Sequence, residues 1–116
     1  MRPSDFHWTE STIESVKIDG RNVIVFASGV FRLGEVGARQ VRVEFCSVAA
    51  ARQEITEYIG DPKSPAGFKP PVLVELLPPI EIAGAEVHGI EGIRLAPTAA
   101  WIDIEVQSAE AKVYEL

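Results

Sequence analysis

The chain has 116 residues, 47% of them apolar and 24% charged, with a formal net charge of −6. That is the composition of one ordinary globular domain, and it excludes general disorder. The single cysteine, Cys46, fits a reducing compartment. There is no apolar signal core near residue 1 and no run approaching the roughly 18 residues of a membrane span, so the expectation is a cytoplasmic protein without membrane contact.

The first strong signal is a hairpin. Residues 12–18 and 23–27 alternate in polarity and are joined by Asp19-Gly20-Arg21-Asn22, a turn-forming sequence. A two-residue turn at Asp19-Gly20 pairs Val16 with Val23, whereas a four-residue loop pairs it with Val25. The two registers differ by two residues, so both turn Val16, Ile18, Val23 and Val25 toward a core. Ile13, Ser15 and Lys17 fall on the opposite face with Ile24 and Phe26. Residues 30–33 read as a short strand between Gly29 and Gly34. Residues 40–47 set Val41, Val43 and Phe45 against Gln40, Arg42, Glu44 and Cys46, a strand with one wet face.

The rhythm then changes. Ala49-Ala50-Ala51-Arg52-Gln53-Glu54 has high helix propensity, Val48, Ile55 and Ile59 fall at helical spacing, and Ser47 is placed to cap a first turn. One short helix is predicted within 48–59, against the β-rich composition of 55–59. Residues 60–71 show no periodicity and contain Pro62, Pro65, Pro70 and Pro71, which predicts a stiff exposed loop. Phe68, flanked by Lys63 and Lys69, is either a contact side chain of that loop or a lid folded back on the core.

Strands resume at 72–77, stopped by Pro78-Pro79, and at a short piece holding Ile80 and Ile82. Residues 86–95 read as a strand broken by Gly89 and Gly92. Residues 101–106 place Ile102, Ile104 and Val106 inward and Trp101, Asp103 and Glu105 outward, and 109–116 read as a last, edge strand. The fold class is mainly β: one antiparallel β-sandwich or partly open barrel over residues 1–116, with at most one short helix.

Chemistry-bearing groups are sparse. His7 and His88 are the only histidines, no cluster has metal-ligand spacing, and no Gly-rich phosphate loop is present, so no cofactor or metal is expected. Cys46, beside apolar positions, reads as a buried inert thiol. Asp103 and Glu105 share a strand face about 7 Å apart, as an acid/base pair or a solvated face. Trp8 and Trp101 are core residues or a ligand platform. Residues 1–45 carry six basic and six acidic side chains, and residues 46–116 carry five basic against eleven acidic. The acidic excess argues against nucleic acid and suits a basic protein partner.

The opening Trp8-Thr9-Glu10-Ser11-Thr12-Ile13-Glu14-Ser15-Val16 resembles that of small bacterial β-rich proteins of unknown function. These begin Trp-His-Asp-Ser ahead of an Ile-x-x-Ile strand, and some look like immunity proteins that neutralise toxins. Thr9 and Glu10 replace the His and Asp of that pattern. The resemblance implies a β fold and an immunity-like role. From the residues themselves, Ser11 or Thr12 pins the chain by side-chain hydrogen bonds while Trp8 seals one end of the core.

The expectation is therefore a non-catalytic interaction protein that meets a protein partner through its acidic face or the 60–71 loop. Phe68, Trp101, Asp103 and Glu105 are its candidate binding residues. The alternatives are a small-ligand-binding β shell, a homo-oligomeric subunit (a homodimer through the 109–116 edge), and a hydrolase using Asp103, Glu105 or His88.

Overall fold

The computed structural model describes residues 1–95 and 98–116. A 3-10 turn at Pro3–Asp5 leads into β1 (Phe6–His7), and β2 (Ser11–Asp19) and β3 (Asn22–Arg32) form the first hairpin. They are followed by β4 (Arg39–Asp61), β5 (Ser64–Phe68), β6 (Val72–Leu77), β7 (Glu86–Arg94) and β8 (Ala100–Glu115). The fold is mainly β, and among the described residues no helix exists beyond the opening turn.

β3 pairs with β1, β2 and the first part of β4; β4 runs antiparallel to nearly all of β8, and β7 lines the other edge of β8. The sheet bends until β7 reaches β2, where Ser11 and Thr12 pair in parallel with Gly92 and Ile93. Only two residues of each strand meet at this seam, so the result is a single strongly bent sheet rather than a closed barrel. Its inner side is filled by Ile13, Phe45, Ile90, Ile102, Ile104 and a set of valines, all less than 2% exposed. Each such side chain contributes about 1.5–3 kcal/mol by leaving water.

In the hairpin, Val16 pairs with Val25, Ile18 with Val23 and Asp19 with Asn22, the register that the longer loop predicts. A bulge between Ile13 and Ser15 lets Ile13 oppose Ala27. One extra residue on β2 therefore brings Ile13 and Val16, three positions apart, onto the same inner face, where strict alternation separates them. Val23 and Val25 are fully buried and Val16 half-buried. Ile18 departs from the expected core: it is 42% exposed, because β2 meets β7 at Ser11 and Thr12 and its far end is left as an edge, whereas the partner Val23 is flanked on its other side by Phe45 of β4.

The predicted helix is absent, and β4 continues as strand through residues 48–59. Beyond a register shift at 48–50, Ala51, Gln53 and Ile55 turn inward while Arg52, Glu54 and Thr56 turn outward. A buried polar residue, Gln53 at 8% exposure, hides this period-two pattern in the sequence. The backbone of 51–55 is paired with β6 on one edge and β8 on the other, and this pairing outweighs the helix propensity of the alanines. Ser47 has a positive φ of 53° and lies within β4 just before the register shift at 48–50, not at a helix cap.

Four other segments also differ from the reading. Residues 60–71 are largely a hairpin, with Tyr58 opposite Phe68 and Asp61 opposite Ser64, because Pro62 and Lys63 supply the turn. The Ile80–Ile82 region forms no strand; Ile80 N–H instead donates to Ala49 O at 2.8 Å. β7 passes through Gly89 and Gly92 unbroken, and 101–106 and 109–116 belong to one strand, β8. Beyond Ser108, where its pairing with β7 ends, the last stretch of β8 keeps an edge, and Val113 N–H donates there to Met1 O. Among the described residues, no helix is long and apolar enough to cross a membrane.

Candidate binding face

Inward Ile102, Ile104 and Val106 force Trp101, Asp103 and Glu105 onto the outer face of β8. Register then sets their neighbours. Trp101 lies between Ile93 of β7 and Thr56 of β4, Asp103 between Glu91 and Glu54, and Glu105 between Gly89 and Arg52. An apolar row, a row of three carboxylates and a mixed row thus follow one another along the sheet, each about 7 Å from the next.

The apolar row opens into a shallow groove of about 420 Å³ lined by Thr56, Tyr58, Pro62, Pro65, Phe68 and Trp101. The β4–β5 hairpin places Tyr58 and Phe68 edge-on, ring centroids 5.5 Å apart. Phe68 is 59% exposed, so it does not act as a lid on the core. Beyond the carboxylates a second groove of about 610 Å³ runs between Arg52, Glu105 and the side chains of β6, with Leu73 and Leu77 on its wall.

Charge on this face is only partly compensated. Arg52 donates to Glu105 through Nε at 2.7 Å. Elsewhere Arg39 pairs with Glu35 and Glu115, Lys69 with Glu57 and Lys112 with Glu110. Among the described residues, Glu54, Glu91 and Asp103 have no basic partner, and Glu91 accepts only a hydrogen bond from Thr9 Oγ1 at 3.3 Å. Partial burial pushes the Asp103 carboxyl above its ordinary value. Glu91, Glu105 and Glu54 push it further, while Arg52 offsets part of the effect.

The structure therefore brings Phe68 and Trp101 to one groove and sets Asp103 and Glu105 beside it. Arg52, Glu54 and Tyr58 complete the face, yet sequence reasoning passed over them because it placed 48–59 in a helix. The outward Arg52, Glu54, Thr56, Tyr58 alternation was the signal for them.

Trp8 borders this face, lining a groove of about 290 Å³ with His7, Thr9, Glu91, Asp103 and Glu105, whereas Ser11 and the valines stand apart from it. Trp8 is buried and its indole N–H donates to Pro3 O at 2.8 Å. The fully buried Ser11 hydroxyl sits between Trp8 O and Glu91 O, 3.0 Å from the latter, and shares one proton between them. His88 points to the opposite side of the sheet from Asp103, against Phe45 with centroids 5.4 Å apart. Its side chain is 13% exposed, and burial lowers its pKa. No acid/base constellation of His88 with Asp103 or Glu105 exists. Cys46 is half-buried on the wet face of β4 opposite Glu110, not enclosed as expected, because it continues the Gln40, Arg42, Glu44 series. Among the described residues no three His, Cys, Asp or Glu side chains are grouped to hold a metal ion. Comparison of the chain with protein-family models, with curated proteins and with solved structures finds no match.

Proposed function

We propose that the protein is a non-catalytic interaction module, and that its outer β4–β8–β7 face, with the adjoining hairpin at Phe68, receives a basic protein partner. The observation that carries this reading is the row of Glu54, Asp103 and Glu91, three carboxylates abreast with no salt-bridge partner among the described residues. Holding like charges side by side costs the free protein stability. A partner's arginine or lysine removes that cost on binding and raises the encounter rate by attraction. The apolar groove next to the row supplies area that leaves water in the complex.

The small-ligand reading needs an interior cavity, whereas the inner side is occupied by Phe45 and the isoleucines and the grooves described lie outside. The test is capture from native lysate on immobilised chain, comparing the wild type with Glu54→Gln/Glu91→Gln/Asp103→Asn. The wild type is expected to retain a protein that elutes as salt rises, and the triple variant to lose it. Equal retention by both chains overturns the proposal.

A further inference from the structure

The side-by-side arrangement of aromatic groove and carboxylate row says more about the occupant, and this step rests on the binding-face reading above. We infer that the face takes an extended, proline-containing segment of a partner, with an arginine or lysine two or three residues from the proline. The groove walls are the rings of Tyr58, Phe68 and Trp101 together with Pro62 and Pro65. Aromatic rings around a shallow groove suit proline: its ring packs flat on them, and its polyproline II backbone is stiff before binding, so little entropy is lost.

The cation follows from charge and spacing. Asp103 lies two residues along β8 from Trp101, as Glu54 does from Thr56 and Glu91 from Ile93. That places the carboxylates about 6.8 Å from the apolar row. A polyproline II chain rises about 3.1 Å per residue, so two residues span about 6 Å and three about 9 Å. A proline seated against Trp101 and Phe68 thus puts a basic side chain two or three positions away over Asp103 and its neighbours. The carboxylates stand on strands about 4.8 Å apart, a width that one guanidinium bridges by meeting two of them. Surrounding acids do not compete for it: Glu105 is held by Arg52 and Glu57 by Lys69.

The experiment is selection from a random dodecapeptide display library on the intact chain, followed by fluorescence titration of the enriched peptides. Peptides carrying proline with arginine or lysine two or three residues away are expected to dominate. Phe68→Ala and Asp103→Asn are each expected to weaken their binding about tenfold, while Phe31→Ala, an exposed aromatic on β3, leaves it unchanged. Enrichment of basic peptides without proline, lost in Asp103→Asn but not in Phe68→Ala, overturns this inference and leaves the binding-face reading standing. No enrichment, or peptides indifferent to both variants, overturns both.

Discussion

Replacing Gly92 by alanine tests the seam on which the bent sheet depends. A Cβ at this position meets Ile13 Cγ1 at 2.8 Å, Ser11 O at 2.9 Å and Ile13 Cδ1 at 3.0 Å. All three distances are inside or at the edge of hard contact. One contact is backbone, and the other two belong to a side chain only 1% exposed that has nowhere to swing. Relief must come by parting β7 from β2, which are joined by only two parallel pairs. Overpacking of a buried site costs about 1–3 kcal/mol, and the backbone contact puts Gly92→Ala at about 3 kcal/mol. Gly89→Ala is the control on the same strand: a Cβ there meets nothing within 4 Å, and a change within about 0.5 kcal/mol is expected. Urea unfolding of both variants, repeated in an Ile13→Ala background, closes the argument. Ile13→Ala removes two of the three contacts, so Gly92→Ala is expected to cost about 1 kcal/mol less there. Equal cost in both backgrounds, or a Gly92→Ala as stable as Gly89→Ala, refutes the seam as described.

Four further outcomes are expected. Asp103→Asn stabilises the free protein at neutral pH by about 0.5 kcal/mol, after discounting its neighbours' repulsion for solvent screening. The folded-state pKa of Asp103 is raised, so its favourable contribution is complete below about pH 4 and fades as pH rises through the folded value. The variant's advantage should therefore vanish in acid; a constant advantage across pH contradicts the like-charge account. His88 has the opposite dependence: its folded-state pKa is lowered, so stability is full above about pH 6.5 and declines as pH falls from there toward the folded value. His88→Leu should flatten that part of the pH profile of the urea midpoint. Ser11→Ala removes the hydroxyl that meets Glu91 O, while Trp8 O keeps its bond from the residue 11 N–H, and is expected to cost about 1 kcal/mol by thermal or urea unfolding. Gln53→Met removes a buried amide oxygen without a hydrogen-bond partner and should stabilise by about 1 kcal/mol; destabilisation would mean the amide is satisfied.

What the sequence made legible was everything governed by clean alternation. The inner Val41, Val43 and Phe45, the inner Ile102, Ile104 and Val106, and hence the outward Trp101, Asp103 and Glu105, all follow from period two. It failed where the pattern is broken by a residue serving the opposite purpose. Gln53 sits among inward positions, so Arg52 and Glu54 lost their place on the outer face. The extra residue at the β2 bulge moved Ile13 inward, and nothing local announces a bulge there. The β2–β7 seam joins positions some eighty residues apart, and only the close fit of Gly92 under Ile13 records it. Phe68 and Trp101 were singled out separately, but their meeting depends on the β4–β5 hairpin. Its prolines read as a loop because proline cannot donate to a ladder, although Pro65 tolerates the edge.

The most direct test of the outer face is an NMR titration of the labelled chain with the partner captured by the wild type, following backbone amides and the two indole N–H signals. The face as described predicts that the Trp101 indole and the amides of Glu54, Tyr58, Phe68, Glu91 and Asp103 shift together while the buried Trp8 indole stays in place. Shifts gathered instead on the β2–β3 hairpin, with Trp101 and Asp103 unmoved, would contradict it.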